Sequence, residues 1–517
     1  MTQLTDDTKQ TPAPAASPAH DAGVRLKSDT RDTPRTRRIG RILETSPFPI
    51  LLVSLVGIVL LTVFAPSLVV GDTWLTLMAG REVVEHGLPS TETITLLGQG
   101  STWTDQQWLA QVVFYAAHGV AGMRAVIFLD IALVLAALGL ATAAARTSGA
   151  SARSTFAIGL LAVVAGPWGW TIRAQSTALP LYAATLWLLI DASRRGIRRR
   201  TLLVLPLLVL WANLHGSVVL GAGLTVLLAL TVLLTVLRNR GKSAAPQHPW
   251  LAVALLVLAP LCVLASPYAT KLPAYYDLML VDAPFAPILR EWQWSSPSGT
   301  TALFWVLALV AAGVLALRRC RSRLTLYELA VLVVTFVGAV QAVRGVIWFA
   351  LACAAILPVA LDGLLTKADV DAPRVNRVIS LGSLAALAVA AIAFLAHSGS
   401  WYVSGWPEQR VAAVREATRD PSVRLYATDG TADWLLWRIP DLRGRVAYDV
   451  RFELYDKPAL DRIVRYDNRS GDWKSLLDGY RVVIADDLAH LEALAAEPGA
   501  RVVFHDDSIA VVERART

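Results

Sequence analysis

The sequence is poor in charged residues and in cysteine. Only 17% of its 517 residues are charged, whereas a soluble protein carries about a quarter. The three cysteines, Cys262, Cys320 and Cys353, show no metal-ligand spacing, and none lies in the polar C-terminal part. These absences argue against a soluble globular chain, a disulfide framework and a cysteine-bound metal.

What the sequence does contain is a series of long apolar runs. It is 55% hydrophobic with a mean hydropathy of +0.50, and runs of about 20 apolar residues are long enough to cross a bilayer. The net charge of +8 comes from short basic runs between these segments. Such clustering is typical of cytoplasmic loops and disfavours a nucleic-acid partner. The sequence therefore predicts a polytopic α-helical membrane protein.

Three regions differ in composition. Residues 1–46 are polar and rich in Pro, Ala, Thr, Asp and Arg, which predicts a disordered cytoplasmic arm. Residues 47–396 predict the transmembrane domain, with a large first outer loop at 71–123. Residues 397–517 are charged and patterned, and predict a small α/β extracytoplasmic domain ending in a hairpin at Asp506–Asp507–Ser508. About eleven spans are predicted, near 48–70, 124–145, 154–171, 174–193, 201–215, 217–237, 249–266, 300–317, 325–342, 344–364 and 377–396.

The first predicted outer loop opens with an acid directly after an apolar run. Asp72 lies beside Trp74, where the carboxylate is either a catalytic group or only a helix cap exposed to water. Further acids, amides and tryptophans follow it in the loop. Such a mixture suits sugar recognition, although tryptophans also mark every membrane interface. The candidate sugar- or acceptor-binding residues of the loop are Trp74, Glu92, Asp105, Gln107 and Trp108.

Positive charges also lie at predicted outer ends of spans, where the inside bias disfavours them. They are Arg173, Lys271, Arg290 and Arg344. An anionic ligand such as a phosphate, held by guanidinium groups, would explain them. The alternative is snorkelling of single side chains to lipid headgroups.

Two further stretches carry polar groups of interest. Asn213 and His215 interrupt an apolar segment in "WANLHG", which predicts either a binding role or a structural hydrogen bond between helices. No second ligand stands at metal spacing there. In the C-terminal region, "AYDVRFELYD" (447–456) predicts a structural ion-pair network or a contact with the membrane domain.

Several stretches together resemble the multispan GT-C glycosyltransferases, in particular bacterial ones with a C-terminal extracytoplasmic domain. They are "GDTWLTLMAGREVVEHGLPSTETIT", "WTDQQWLAQVVFY", "RAQ", "WANLHGSVVLG" and "YDVRFELYD". The resemblance implies a polyprenyl-phosphate-linked sugar as donor, a cell-envelope glycan, lipid or protein as acceptor, and transfer with inversion at the outer face of the plasma membrane. Asp72 matches the family's catalytic base.

The sequence departs from the family pattern inside the first loop. Leu75 and Thr76 stand where an aromatic residue and a His are frequent, and Gln107 replaces a usual Glu. These departures weigh against a metal-binding or second-acid role in that loop, and whether a divalent metal is a cofactor stays open. Two other functions stay open as well: a membrane transporter, and a noncatalytic scaffold of the same fold.

Overall fold

Apolar helices follow one another along the N-terminal three quarters of the described chain. The computed structural model describes residues 46–238, 248–365 and 372–515, so the predicted arm lies outside the described residues except for its last position. One short helix, Arg318–Arg321, has a single turn and is left out of the numbering that follows. The helices are α1 (Phe48–Val59), α2 (Gly71–His86), α3 (Trp108–Ala121), α4 (Met123–Thr147), α5 (Ala152–Ala165), α6 (Ala178–Arg195), α7 (Val204–Leu214), α8 (Val218–Arg238), α9 (Pro249–Val263), α10 (Leu272–Leu280), α11 (Ala302–Ala316), α12 (Leu326–Gln341), α13 (Val346–Leu361) and α14 (Pro373–Ala396).

Within the described residues, six helical segments are long and apolar enough to cross a membrane. They are Phe48–Leu68, Met123–Thr147, Val218–Leu237, Gly299–Ala316, Val343–Leu361 and Pro373–Ala396, and four shorter apolar helices accompany them. Helix α13 is buried along nearly its whole length, whereas α14 exposes large apolar side chains such as Val389 and Ile392. An apolar exposed face suits contact with lipid. The protein is a multi-pass membrane protein, and the number of eleven spans stays a prediction.

The predicted break in the apolar segment 201–237 is present. Helix α7 ends at Leu214, His215 is extended with φ −167°, and α8 begins at Val218. The Trp211 indole N–H donates to Ser217 Oγ at 3.1 Å, which holds the turn closed. Gly221 allows the two helices to pack, because a Cβ there would lie 2.6 Å from the Trp211 ring.

The C-terminal domain, 397–515, is a small mixed α/β unit. Its helices are α15 (Glu408–Ala417), α16 (Asp429–Arg438), α17 (Lys457–Asp467) and α18 (Leu488–Ala495). Its strands are β1 (Leu425–Tyr426), β2 (Val482–Ala485), β3 (Arg501–His505) and β4 (Ala510–Glu513), in the order β1-β2-β4-β3. β1 and β2 are parallel and the other pairs antiparallel. The β3–β4 hairpin turns at the predicted residues.

The loop that follows α2 joins this sheet. Val446 forms parallel bridges with Leu425 on one side and with Thr95 of the loop on the other. The N–H groups of Leu96 and Leu97 donate to the carbonyls of Val446 and Ala447, both at 2.9 Å. Backbone pairing of this kind fixes the register of two segments. The membrane domain and the C-terminal domain are therefore connected by a shared sheet edge.

Candidate functional site

Asp72 lies in the first turn of α2, and its carboxylate does not cap that helix. The cap is made by Thr73, whose hydroxyl accepts the Val70 N–H at 3.0 Å and donates to the Ile172 carbonyl at 2.9 Å. The side chain of Asp72 instead contacts Arg173, with 3.0 Å between Oδ2 and Nη2. An acid at this position is also favoured by the helix dipole.

Arg173 joins two carboxylates. Its Nη1 lies 2.7 Å from Glu291 Oε2, whereas Asp72 is bound by the other terminal nitrogen, Nη2. Arg344 lies close by, with its guanidinium carbon 4.3 Å from the ring centre of Trp292. Side-chain exposure is 26% for Asp72 and 19% for Arg173, so both groups are mostly buried. We call Asp72, Arg173, Glu291 and Arg344 the charged cluster.

The electrostatics of the two acids differ. Burial raises the pKa of Asp72, and Glu291 raises it further, against the opposing effects of Arg173 and Arg344. Burial also favours a higher pKa for Glu291, but the guanidinium groups of Arg173 and Arg344 outweigh it, so this pKa is lowered. The pKa of Arg173 is raised, because Asp72 and Glu291 outweigh its burial. The cluster thus holds a firmly ionised Glu291 and a more basic carboxylate at Asp72.

Of the four predicted cationic residues, Arg173 and Arg344 belong to the charged cluster. Arg173 binds Asp72 directly, and the charge of Arg344 acts on both acids. Arg290 precedes Glu291 in the chain, and Lys271 lies at the start of α10. Within the described residues, neither Arg290 nor Lys271 forms a salt bridge with the charged cluster.

The predicted sugar- or acceptor-binding residues do not form a single cluster in the structure. Trp108 donates from its indole N–H to Asn213 Oδ1 at 3.2 Å, so these two predicted residues meet. His215 bonds Ser217 Oγ at 2.8 Å through Nδ1, and Gln107 occupies the position before α3. Trp74 is 2% exposed and packs edge-on against Trp406.

Glu92 and Asp105 are both buried at the border of the two domains. Glu92 accepts the Ile94 and Thr95 N–H groups and pairs with Arg451 Nη1, each at 2.6 Å. Asp105 accepts from the Gln111 amide at 2.9 Å, and burial raises its pKa to about 7. Glu92 therefore serves to attach the loop to the C-terminal domain in this structure.

Arg451 is the centre of that attachment. Besides Glu92 it binds Asp449, with 2.9 Å between Nε and Oδ2, and lies 4.2 Å over the Trp103 ring. The Tyr455 hydroxyl donates to Asp449 Oδ1 at 3.0 Å. The "DVRFELY" segment thus forms the predicted ion-pair network, and through Arg451 it also pairs with Glu92 of the first loop.

Helix α16 brings the C-terminal domain against α2. Arg81 donates to the carbonyls of Trp437 and Leu436 at 3.0 and 2.8 Å. At the other end, a Cβ on Gly71 would lie only 2.7 Å from Gly430 Cα. The N-terminal ends of the two helices therefore meet beside Asp72.

Several carboxylates near the site were not identified from the sequence, among them Glu291, Asp130 and Asp433. Glu291 follows the selected Arg290, and an acid next to an arginine at a span end was the available signal. Asp130 is buried within α4 and helps raise the pKa of Arg173; a lone acid in an apolar span is itself a functional signal. Asp433 is fully buried, and neither of its oxygens has a hydrogen-bond partner within the described chain.

The described fold is similar to that of solved structures of GT-C-type membrane glycosyltransferases. The chain is similar to the oligosaccharyltransferase of Archaeoglobus fulgidus in its apo form, with a TM-score of 0.50 and 12% identity, over 85% of this chain and 69% of that one. At this identity the likeness describes the fold alone.

Two further structures of ArnT from Cupriavidus metallidurans are similar at lower scores. The form bound to undecaprenyl phosphate has a TM-score of 0.48 and 15% identity, over 89% of this chain and 97% of that one. The apo form has a TM-score of 0.46 and 15% identity, over 86% and 93%. No protein-family model and no curated protein sequence matches the chain.

Proposed function

We propose that the protein is a membrane glycosyltransferase that moves a sugar from a polyprenyl-phosphate donor to an acceptor, with Asp72 as the general base. The observation that carries the proposal is the charged cluster. A carboxylate with a raised pKa is paired with an arginine that a phosphate can take over. The cluster lies where α2 begins, three residues after the first apolar segment ends. A lipid-linked donor and a polar acceptor meet at that level of a membrane.

The proposed reaction is a single displacement. The acceptor hydroxyl attacks C1 of the sugar as its proton passes to a carboxylate oxygen of Asp72, and the C1–O bond to the lipid phosphate breaks. The bonding pair leaves with polyprenyl phosphate, and the configuration at C1 inverts. Arg173 and Arg344 stabilise the charge that develops on the leaving phosphate. A base works best when its pKa lies near the working pH, which suits the direction of the Asp72 shift.

The resting cluster also suggests how the donor would enter. Both terminal nitrogens of Arg173 are paired, one with Asp72 and one with Glu291. A phosphate oxygen that binds Arg173 would replace Asp72, since both ligands are oxygen anions that use the same donors. Asp72 would then be released toward the acceptor. Glu291, whose pKa is lowered, stays bound and keeps Arg173 in position.

The test is sugar transfer by purified protein in nanodiscs, supplied with a panel of polyprenyl-phosphate sugars. Asp72→Asn keeps the shape and removes the base, so turnover should fall by about 10²–10⁴-fold. Asp461→Asn on the exposed face of α17 is the control and should leave turnover unchanged. Normal turnover by Asp72→Asn would refute the base assignment. No transfer from any donor by the wild type would favour the scaffold.

A further inference from the structure

A cleft lies on the face of α2 that points away from Asp72. Its volume is about 520 Å³, within the usual range of ligand sites, about 300–1,000 Å³. Trp74 lines it, two residues after Asp72, and two helical residues turn the side-chain direction by about 200°. The cleft is therefore separated from the charged cluster by the body of the helix.

Two spans fix the level of this cleft relative to the membrane. Met123, the first residue of α4, and Gly399, three residues after α14 ends, both line it. Trp437 and Arg438, at the end of α16, form its wall in the C-terminal domain. Ends of spans flanked by tryptophan and tyrosine mark the headgroup layer of a bilayer. The cleft thus opens at the level of lipid phosphates.

The lining is cationic and apolar, without acids. It contains Arg124 and Arg438, whereas none of the lining residues in the described chain is Asp, Glu, Asn or Gln. Arg124 is held in place by the Tyr402 hydroxyl and the His397 carbonyl, both at 3.1 Å. Arg438 reaches the exposed Glu408 at 2.5 Å, a surface pair that contributes little. Two guanidinium groups with no acid among the described lining residues favour an anionic ligand.

The surroundings of the cleft are suited to acyl chains. Val120, next to the lining residue Ala121, is 84% exposed, and Phe128 on α4 is 45% exposed. The Trp74 indole N–H is buried in the lining and has no hydrogen-bond partner among the described residues. It is a donor that a ligand oxygen would satisfy.

We propose that this cleft binds an anionic bilayer phospholipid. The headgroup phosphate lies between Arg124 and Arg438, and the acyl chains leave over Val120 and Phe128. The lipid joins the ends of α4 and α14 to the end of α16, so it stabilises the contact between the C-terminal domain and the membrane domain. This role is independent of the proposed glycosyl transfer.

The test uses nanodiscs that contain equal amounts of phosphatidylglycerol and phosphatidylcholine. A photo-crosslinking p-benzoylphenylalanine replaces Val403 in the cleft, or Ile392 on the exposed face of α14 as the control. Mass spectrometry identifies the attached lipid. At Val403 phosphatidylglycerol should be enriched at least 5-fold, because each arginine near the membrane surface contributes about that factor. At Ile392 the two lipids should appear in the bulk ratio.

Charge removal and an independent measurement complete the test. Arg438→Gln should lower the enrichment at Val403 by about 5-fold. Native mass spectrometry of the unlabelled protein should show retained phosphatidylglycerol that Arg438→Gln and Arg124→Gln lose. Equal capture of both lipids at Val403, unchanged enrichment in Arg438→Gln, or capture of a polyprenyl phosphate from native membranes would each overturn the proposal.

Discussion

At the scale of single residues, the most informative contact is the ion pair between Asp72 and Arg173. The two groups lie 3.0 Å apart, and the same arginine is proposed to bind the donor phosphate. If both statements hold, the carboxylate and the phosphate compete for one guanidinium. The proposed base therefore becomes free only when the donor is bound, which would limit proton transfer without donor.

This competition predicts an affinity change with a definite sign. Asp72→Asn removes the competing charge, so polyprenyl phosphate should bind at least as tightly as in the wild type while turnover falls. Arg173→Gln should weaken binding by 10-fold or more, and Arg173→Lys should recover part of it, because lysine keeps the charge but not the two-pronged geometry. Binding of polyprenyl phosphate alone is measured by the shift in thermal unfolding. Weaker binding of polyprenyl phosphate to Asp72→Asn would contradict the proposed competition between Asp72 and the phosphate for Arg173.

The sequence led to Asp72, Arg173 and Arg344 because each breaks a strong expectation. An acid directly follows an apolar run, and cations lie at span ends that disfavour them. Asp433 breaks no such local expectation, since acids are common in polar segments, and Glu291 was marked only by the arginine that precedes it. Their importance comes from what surrounds them in three dimensions, which a single sequence does not reveal.

At the scale of elements, the N-terminal ends of α2 and α16 meet at Gly71 and Gly430. Neither glycine can be replaced by a larger residue without a steric clash or a shift of the backbone. A Cβ on Gly71 would lie 2.7 Å from Gly430 Cα, and a Cβ on Gly430 would lie 3.3 Å from Gly71 Cα. Both contacts involve backbone atoms, which cannot rotate away as a side chain does. The close approach sets the distance between α2, which carries Asp72, and the C-terminal domain.

Gly71→Ala should therefore loosen the two domains. Overpacking of this kind costs about 1–3 kcal/mol, and we expect faster proteolysis between the domains together with lower transfer activity. Gly430→Ala should have a smaller effect in the same direction. Gly223→Ala in α8 is the matched control, because a Cβ there meets nothing within 4 Å and alanine is the better helix former. Equal proteolysis rates and equal activities of Gly71→Ala and Gly223→Ala would show that the Gly71–Gly430 contact does not hold the two domains together.

Elements were predicted well where the pattern was local and strong. The apolar helices, the interruption at 215–217 and the terminal hairpin follow from hydropathy, polar residues and turn chemistry. The joining of Thr95 to Val446 was not foreseen, because the two residues are 351 positions apart and a single strand-like residue leaves no periodic pattern.

At the scale of the whole molecule, stability should depend on pH in the neutral range. Burial raises the pKa of Asp105 to about 7, against the Gln111 hydrogen bond and the charge of Arg451. Burial likewise raises the pKa of Glu453 to about 7; the charge of Asp449 raises this pKa further, and the charge of Arg451 lowers it. Unfolded carboxyls titrate near pH 4. Between about pH 4 and 7 the folded protein therefore holds more protons, and its free energy of unfolding falls as the pH rises.

The measurement is the thermal unfolding midpoint in detergent from pH 8 down to pH 5. The midpoint should rise as the pH falls through this range. Asp105→Asn and Glu453→Gln mimic the protonated forms, so each should flatten the dependence, and Asp461→Asn should not. Below about pH 4 the trend should reverse, because Arg410 and backbone donors hold the pKa of Asp506 at about 2 despite its burial. A midpoint that falls steadily from pH 8 to pH 5 would contradict this assignment.

The pairing of Glu92 with Arg451 has a consequence for how the chain is made. A ribosome completes Glu92 about 360 residues before Arg451, and at 5–20 residues per second that interval lasts roughly 20–70 seconds. During this time the acid of the first loop has no guanidinium to bind, and the loop backbone has no strand to join. The first loop therefore reaches this arrangement only after the segment around Arg451 has been made. A ribosome that stalls early leaves a membrane-inserted fragment whose loop is open, hydrated and accessible to quality-control proteases.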